Sequence, residues 1–260
     1  MTTPINAYRV GTVLLLAALA GCDQNTVQQL PVEPLLGSRI RFFNFGVNAP
    51  SVNFYADNVK LTAVRSETGT EATTGVSYGG VGNGGGYSQI APGSHALTGR
   101  IAAATDKDLP IDTLTAPIAD GKYYSFFLSG FYNTISKNVD AFIVEDPIAP
   151  PTDFTTAQVR FVHAIGNASP LTLYARNTTV GDTTAIGGAV AYKSAGTFVA
   201  VPSGIYDLFA RYTDSTTNKV ARTAVTFLAG HIYTVGARGD ITITSTTATN
   251  RPFLDATPNW

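Results

Sequence analysis

The chain is poor in cysteine, in charged residues and in long apolar stretches. It contains one cysteine, Cys22, so no disulfide can form within it and its stability must come from packed cores. Charged residues make up 13% of the sequence, against roughly 25% in an average soluble domain, and the formal net charge is −1. Because no basic excess is available to offset phosphates, we expect no nucleic-acid partner. No stretch after Cys22 keeps a helical apolar period, which argues against a helical domain.

The residues around Cys22 are typical of a lipoprotein signal peptide. Residues 19–22 read Leu-Ala-Gly-Cys, after an uncharged apolar run from Val10 to Ala20 that follows Arg9. This run of 11 residues is too short to span a bilayer, which takes about 20. It fits the charged region, apolar region and small-residue cleavage site of a secretory signal. We therefore predict an exported protein whose Cys22 is lipidated and held on an inner or outer membrane of a bacterial cell envelope. The alternative is a buried cysteine after a hydrophobic N-terminal helix.

The rest of the chain is an internal duplication. Two halves match at a constant offset of 119 positions, and a second block matches further along in the same order. A repeat of roughly 100 residues indicates two similar domains, since solenoid units have about 20–50 residues. The matched pairs include Arg41 with Arg160, Phe42 with Phe161, Asn48 with Asn167, Tyr55 with Tyr174, and Tyr124 with Tyr233.

Each half is predicted to be β throughout. Short runs rich in Val, Ile, Phe, Tyr and Thr alternate with turn residues such as Pro-Gly and Asp-Gly. About seven strands in 100 residues are typical of an antiparallel sandwich. The predicted fold class is all-β, with two tandem antiparallel β-sandwich domains, immunoglobulin- or transthyretin-like, after a lipoprotein signal peptide.

Proline-rich stretches set the predicted domain boundaries, because proline disfavours helices and central strands. We expect few contacts across the second stretch, so that the second repeat folds alone. The predicted segments are the signal peptide at 1–21, a lipid-anchored tether at 22–37, the first sandwich repeat at 38–146, a linker at 147–156 and the second repeat at 157–260.

Three phrases resemble a known family. Val-Arg-Phe-Val-His-Ala at 159–164, Leu-Thr-Leu-Tyr at 171–174 and Ala-Gly-His-Ile-Tyr-Thr-Val at 229–235 look like the bacterial domain-of-unknown-function family numbered 4397. Its members are exported proteins, often lipoproteins, that carry one or two β-rich copies. The resemblance covers most of residues 38–255, although the first copy has Asn44 where the family tends to have His. It implies a fold and a location, and it brings no enzymatic activity.

The glycine-rich segment 79–86 is the candidate ligand-binding loop. Six glycines in eight residues predict a mobile hairpin loop. The segment contains G-x-G-x-x-G, but no helix follows to receive a pyrophosphate, so we expect no nucleotide. The alternative is a tolerated surface insertion. The candidate residues are Gly79, Gly80, Gly82, Asn83, Gly84, Gly85 and Gly86.

No catalytic, cofactor or metal site is predicted. Ser77 lies in a G-x-S-x-G sequence, but it lacks the following helix that a nucleophile elbow requires. The acidic residues at 106, 108 and 112 lack the glycine and terminal glutamate of an EF-hand. The histidines lack metal-ligand spacing and a cysteine partner, so we interpret them as polar strand-end residues. They are His95, His163 and His231.

Two arginine pairs recur at matched positions, Arg41 with Arg160 and Arg100 with Arg211. Such recurrence favours a structural role, either pairing with a carboxylate or binding strand carbonyls, and a symmetric ligand site is the alternative.

Together these observations favour a non-enzymatic, lipid-anchored envelope protein that serves as a binding, adhesion or scaffolding module. Its partners would be the membrane, through Cys22, and an envelope protein or glycan. The alternative is an envelope hydrolase or a carbohydrate-binding accessory protein.

Overall fold

The structure, a computed structural model, describes residues 37–62 and 74–259. The predicted signal peptide, Cys22 and all of the tether except Gly37 lie outside the described residues, as do residues 63–73 and Trp260. Within the described ranges, no helix has the length and apolar character needed to cross a membrane.

The described part of the first repeat forms nine strands and one 3₁₀ turn, Gly82–Gly85, between the fourth and fifth strands. The strands are β1 (Ser38–Asn44), β2 (Val52–Ala56), β3 (Val59–Lys60), β4 (Gly80–Val81), β5 (Ser88–Ile90), β6 (Gly93–Ile101), β7 (Pro110–Ile118), β8 (Tyr123–Asn133) and β9 (Asn138–Asp146).

The second repeat forms nine strands that correspond one to one with those of the first. They are β10 (Thr156–His163), β11 (Leu171–Asn177), β12 (Thr183–Val190), β13 (Ser194–Ala195), β14 (Val199–Pro202), β15 (Gly204–Tyr212), β16 (Val220–Phe227), β17 (Ile232–Arg238) and β18 (Phe253–Pro258). The predicted all-β fold with two tandem sandwiches is therefore confirmed.

Each repeat consists of an inner and an outer sheet. In the first repeat the inner sheet has the order β4-β1-β8-β9, with β5 also paired to β1, and the outer sheet has the order β3-β2-β6-β7. The second repeat has β13-β10-β17-β18, with β14 on β10, and β12-β11-β15-β16. One pair in each inner sheet departs from the predicted antiparallel pattern, since β1 runs parallel to β8 and β10 to β17. Parallel neighbours need a long crossover, and here the outer sheet supplies it.

Alternate residues of the inner strands fill the core of each sandwich. In β1, Ile40 and Phe42 are buried against the outer sheet, and the Phe42 ring stacks on Phe54 with 4.9 Å between centroids. In β10, Val159 and Phe161 occupy the corresponding core. The duplication therefore extends to matched core positions.

The opposite faces of the inner sheets pack on each other. Their contact is a third apolar core, to which the first repeat gives four phenylalanines and the second gives smaller residues. The sheets therefore stack in the order outer, inner, inner, outer. The members of this core are Phe43, Phe45, Phe127, Phe142, Val162 and Ala164.

This packing makes the two repeats parts of one compact unit. The expectation that few contacts cross the linker is wrong, because β1 and β8 bury side chains on both faces and one face belongs to the neighbouring repeat. Folding of the second repeat by itself stays a prediction.

Candidate functional site

A buried ion pair connects the repeats. Arg160 on β10 binds the Asp146 carboxylate at the end of β9, and both side chains are about 1% exposed or less. The Arg160 guanidinium also donates to the Glu145 carbonyl at 2.9 Å and to the Thr234 hydroxyl at 3.0 Å. The second Asp146 oxygen accepts hydrogen bonds from the Tyr87 hydroxyl at 2.6 Å and from the Ser125 hydroxyl at 2.7 Å. Charged groups that are this well paired fix the position of one repeat on the other.

Arg41 makes the reciprocal contact from the first repeat. Its Nη1 donates to the Pro258 carbonyl at 2.8 Å, at the end of the strand that corresponds to β9. Its guanidinium also lies over the Tyr87 ring, 4.6 Å from the centroid. Burial lowers the pKa of Arg41, but a guanidinium stays charged under all ordinary conditions. The predicted structural role of Arg41 and Arg160, binding carbonyls and a carboxylate, is confirmed.

The second arginine pair lies on the outer sheets. Arg100 lies over the ring of Tyr55 at 4.4 Å, and Arg211 lies over the matched Tyr174 at 5.0 Å. A guanidinium over an aromatic face gains an electrostatic attraction of about 0.5–1 kcal/mol at exposed sites. These residues therefore have the same packing role in both copies.

The glycine-rich segment 79–86 is bound to the first strand. Gly80–Val81 forms β4 against Phe43 and Asn44, so this part is an edge strand, where the sequence predicts a hairpin loop. The side chain of Asn83 donates to the Leu61 carbonyl at 2.8 Å. The role of this segment in ligand binding stays a prediction.

The surroundings of Gly79 show why this position of the segment needs a glycine. Its φ is +78°, and a Cβ there would come within 2.8 Å of the Arg238 guanidinium on the second repeat. Further along, the Gly85 carbonyl accepts a hydrogen bond from Arg41 at 3.3 Å. The segment therefore lies where the two repeats meet.

His163 is a satisfied core histidine. Its Nδ1 accepts the Ile165 backbone N–H and its Nε2 donates to the Ser169 carbonyl, both at 3.2 Å. Burial lowers its pKa, which favours this neutral form. Asn44, at the matched position of the first repeat, donates to the Pro50 carbonyl at 3.0 Å. In each repeat, the side chain at this position therefore holds the loop that follows the first strand of that repeat.

The remaining candidates are not brought together. His95 lies near the start of β6 and bonds to Asp57 at 2.6 Å, whereas His231 immediately precedes β17. Among the described residues, neither a histidine nor a carboxylate bonds to the Ser77 hydroxyl, and no three potential metal ligands cluster.

Asp112 is a carboxylate in unfavourable surroundings. Burial raises its pKa to about 6, Lys193 opposes this shift and Asp140 adds to it. Its Oδ2 has no hydrogen-bond partner among the described residues.

Replacing Asp112 by asparagine should stabilise the protein at pH 7. The folded state holds the Asp112 proton more tightly than the unfolded state, so the stability of the wild type falls as pH rises from about 4 to 6 and stays lower above that window. Because this side chain is partly exposed, the expected gain is about 1 kcal/mol. Urea unfolding of both proteins at pH 4 and pH 7 measures it. A variant that gains as much at pH 4 as at pH 7 would contradict the assignment.

A cleft of about 720 Å³ lies in the second repeat, where β16 meets the connection between β17 and β18. We call it the basic cleft. Its lining consists of residues 218–223, 241, 243–246 and 251–253. The connection, residues 239–252, is held by hydrogen bonds, including Asn167 to the Asp240 carboxylate at 2.8 Å and Arg251 N–H to the Ala248 carbonyl at 3.2 Å.

The lining carries three cations, Lys219, Arg222 and Arg251, and no carboxylate. None of the three forms an ion pair with a described residue. Asp255 lies outside the lining and is paired with Arg238 at 2.6 Å, although its field also reaches Arg222. The cleft is therefore a positive site on a protein of net charge −1.

Phe253 forms the centre of this positive region. The guanidinium carbons of Arg222 and Arg251 each lie 5.3 Å from the centroid of its ring, and that of Arg238 lies 5.1 Å away. Attraction between the ring and the cations helps to hold Arg222 and Arg251, neither of which is paired with a described carboxylate, and Arg238 is held by Asp255 as well.

The positions that correspond to the cleft carry different residues in the first repeat. The strand registers align Arg222 with Leu114 and Phe253 with Asp140. The connection from β8 to β9 has only residues 134–137, whereas the connection from β17 to β18 has residues 239–252. Sequence reasoning missed this site, and the extra length before Phe253 was the available signal.

The fold and the site define a class of protein, a tandem β-sandwich protein in which two copies of one unit pack through their inner sheets. The chain belongs to the family described as a domain of unknown function, DUF4397, whose model matches residues 38–174 and again residues 157–258. The two matches confirm the resemblance and the tandem copies.

No curated protein matches the chain. Among solved structures it is similar to the crystal structure of a leucine-rich repeat protein from Bacteroides thetaiotaomicron VPI-5482. The identity is 11% and the TM-score 0.21, over 82% of this chain and 27% of that one. The chain thus spans about a quarter of the length of that protein.

Proposed function

We propose that this protein is a lipid-anchored, non-enzymatic binding module of the bacterial cell envelope, and that it captures its ligand in the basic cleft. The observation that carries the proposal is the cleft itself. Its volume of about 720 Å³ falls within the range of roughly 300–1,000 Å³ of small-molecule sites. Its three cations are available to a ligand because none is paired with a described carboxylate.

The packing of the repeats supports a binding role. Function is commonly carried by loops that a rigid scaffold positions. Here the scaffold is the stack of four sheets, which the Arg160–Asp146 pair holds together. The hydrogen-bonded connection at 239–252 is longer than its counterpart in the first repeat, residues 134–137, and it lies at one end of the inner sheet.

The location follows from the sequence around Cys22. Acyl chains on this residue would hold the protein on a membrane, since each buried CH₂ contributes about 0.8 kcal/mol and several chains bind far better than one. The 22–37 tether would keep the sandwiches near that membrane.

Replacing Cys22 by alanine should block both lipidation and processing at that site. The variant is expected to lack the mass of the lipid and to keep the signal peptide at residues 1–21. Intact mass spectrometry of the wild type and the variant measures both effects. A variant that is processed normally and carries the same lipid mass as the wild type would contradict the anchor.

A screen of the mature wild-type protein against glycan and envelope-protein arrays tests the binding role. We expect capture that is weakened by substitutions in the basic cleft and unaffected by Ser77→Ala. Hydrolysis of generic ester or glycoside substrates that Ser77→Ala abolishes would overturn the non-enzymatic proposal.

A further inference from the structure

We infer that the basic cleft binds a carboxylated saccharide, an oligosaccharide containing uronic-acid units. This inference rests on the proposed function and names the ligand class of the same site. It depends on three properties of the cleft, which are its unpaired guanidinium groups, its hydroxyl-rich wall and its aromatic ring.

The two arginines are suited to a carboxylate. Arg222 uses Nη1 to donate to the Leu254 carbonyl at 2.8 Å, and Arg251 uses Nη1 to donate to the Ala248 carbonyl at 3.0 Å. These bonds fix the position of each guanidinium and leave its other N–H groups for a ligand. A fixed guanidinium offers two parallel donors to a carboxylate, which is the strong bidentate geometry.

The opposite wall is rich in hydroxyl groups. Residues 244–246 read Thr-Ser-Thr and are exposed in the lining, to which Thr223 of β16 also belongs. The hydroxyls of Thr223, Thr244 and Thr246 bond to no described residue. A hydroxyl both donates and accepts, so it matches the hydroxyls of a sugar ring better than it matches a small inorganic anion.

Phe253 supplies an apolar surface among these polar groups. It is half-buried at the base of the positive region, and Pro252 precedes it in the lining. A saccharide has apolar C–H faces as well as hydroxyls, so an aromatic ring between donors suits it. The volume of about 720 Å³ also exceeds what a lone phosphate or carboxylate would fill.

The first repeat provides an internal comparison. At the matched positions Leu114 replaces Arg222 and Asp140 replaces Phe253. The Asp140 carboxylate would repel a uronate, and the aliphatic side chain of Leu114 offers it no hydrogen bond. We therefore expect one site per chain, located in the second repeat.

The experiment is calorimetric titration of the mature protein with hexuronic-acid oligosaccharides. Neutral hexose oligosaccharides of equal length and inorganic phosphate are titrated in parallel. We expect one site for the uronate, affinity that falls with rising salt, and much weaker binding of the neutral oligosaccharide and of phosphate.

Two cleft variants and one control test the residues. Arg222→Leu introduces the leucine that the first repeat has at the matched position, Leu114, and Arg251→Gln removes the second guanidinium. Each should weaken uronate binding about tenfold or more, as expected for one charge-assisted hydrogen-bonded contact. Arg176→Gln is the matched control, because Arg176 is an exposed arginine of the same repeat, paired with Asp207 at 2.9 Å and outside the cleft. It should bind like the wild type. Thermal unfolding of each variant checks that the fold is retained. If either cleft variant unfolds, Lys219→Gln, at an exposed position of the lining, takes its place in the titration.

The outcomes separate the inference from the proposed function. Equal affinity for neutral and uronate oligosaccharides, equal binding of phosphate, or tighter binding of an acidic peptide would overturn the ligand class and leave a binding module in place. Uronate binding that survives both arginine substitutions would place the saccharide elsewhere and also overturn the inference. A protein that captures nothing in the array screen would overturn the proposed function itself.

Discussion

Replacing Asp146 by asparagine is expected to lower the free energy of unfolding by about 3–5 kcal/mol. The variant would leave the Arg160 guanidinium buried without the carboxylate that it binds, and Arg41 would lose the favourable field of the same group. Asparagine keeps the shape of the side chain but has one acceptor oxygen, which can face either Arg160 or the Tyr87 hydroxyl, so the loss combines the charge with one hydrogen-bond acceptor. Urea unfolding at pH 7, followed by circular dichroism, measures it.

Asp207→Asn is the matched control for this prediction. Asp207 pairs with Arg176 at 2.9 Å, but the Arg176 side chain is 53% exposed, and the Asp207 carboxylate also accepts the Ala224 backbone N–H at 3.3 Å. An exposed pair contributes at most about 1 kcal/mol. Equal losses in the two variants would show that burial adds nothing to the Arg160–Asp146 pair.

Replacing Phe127 by alanine is expected to cost about 3–5 kcal/mol. Phe127 is fully buried between the repeats, where its ring stacks on Phe43 at 4.3 Å and on Phe142 at 4.9 Å. The substitution removes the middle of this three-ring stack and leaves a cavity that a pleated sheet cannot close. Thermal and urea unfolding of the variant measure the loss.

Phe154→Ala supplies the comparison for Phe127. Its ring is 71% exposed, so truncation should change stability by no more than about 0.5 kcal/mol. If Phe127→Ala unfolds at the same urea concentration as Phe154→Ala, the contact between the inner sheets does not stabilise the protein.

Short runs rich in β-branched and aromatic residues, separated by turn residues, were enough to predict the sandwiches. The Arg39–Phe45 run predicted β1, and the Lys122–Ser129 run predicted most of β8. The longer strands β6, β7, β12, β16 and β18 were not among the predicted runs, and β12 and β16 are rich in Thr and Ala and carry few large apolar residues.

The contact between the inner sheets could not be predicted from the alternation. Phe42 and Phe43 are adjacent, as are Phe126 and Phe127, which indicates strands buried on both faces, but the pattern does not say what covers the second face. The basic cleft was hidden for a different reason. Arg222 and Arg251 are distant in sequence, and an overall charge of −1 conceals a local excess of cations.

The unequal size of the side chains between the inner sheets governs which surfaces can associate. Phe45 of the first repeat packs against Gly236, where a Cβ would come within 2.7 Å of its ring, and the position matched to Gly236 in the first repeat is Phe127. Two first repeats from separate molecules would therefore bring bulky rings against each other, and two second repeats would leave a gap. Tandem copies of one ancestral unit risk exchanging partners between chains during folding. Here the bulky side chains lie on one copy and the small ones on the other, so a first repeat pairs with a second repeat, and pairing of two like repeats through this face is disfavoured.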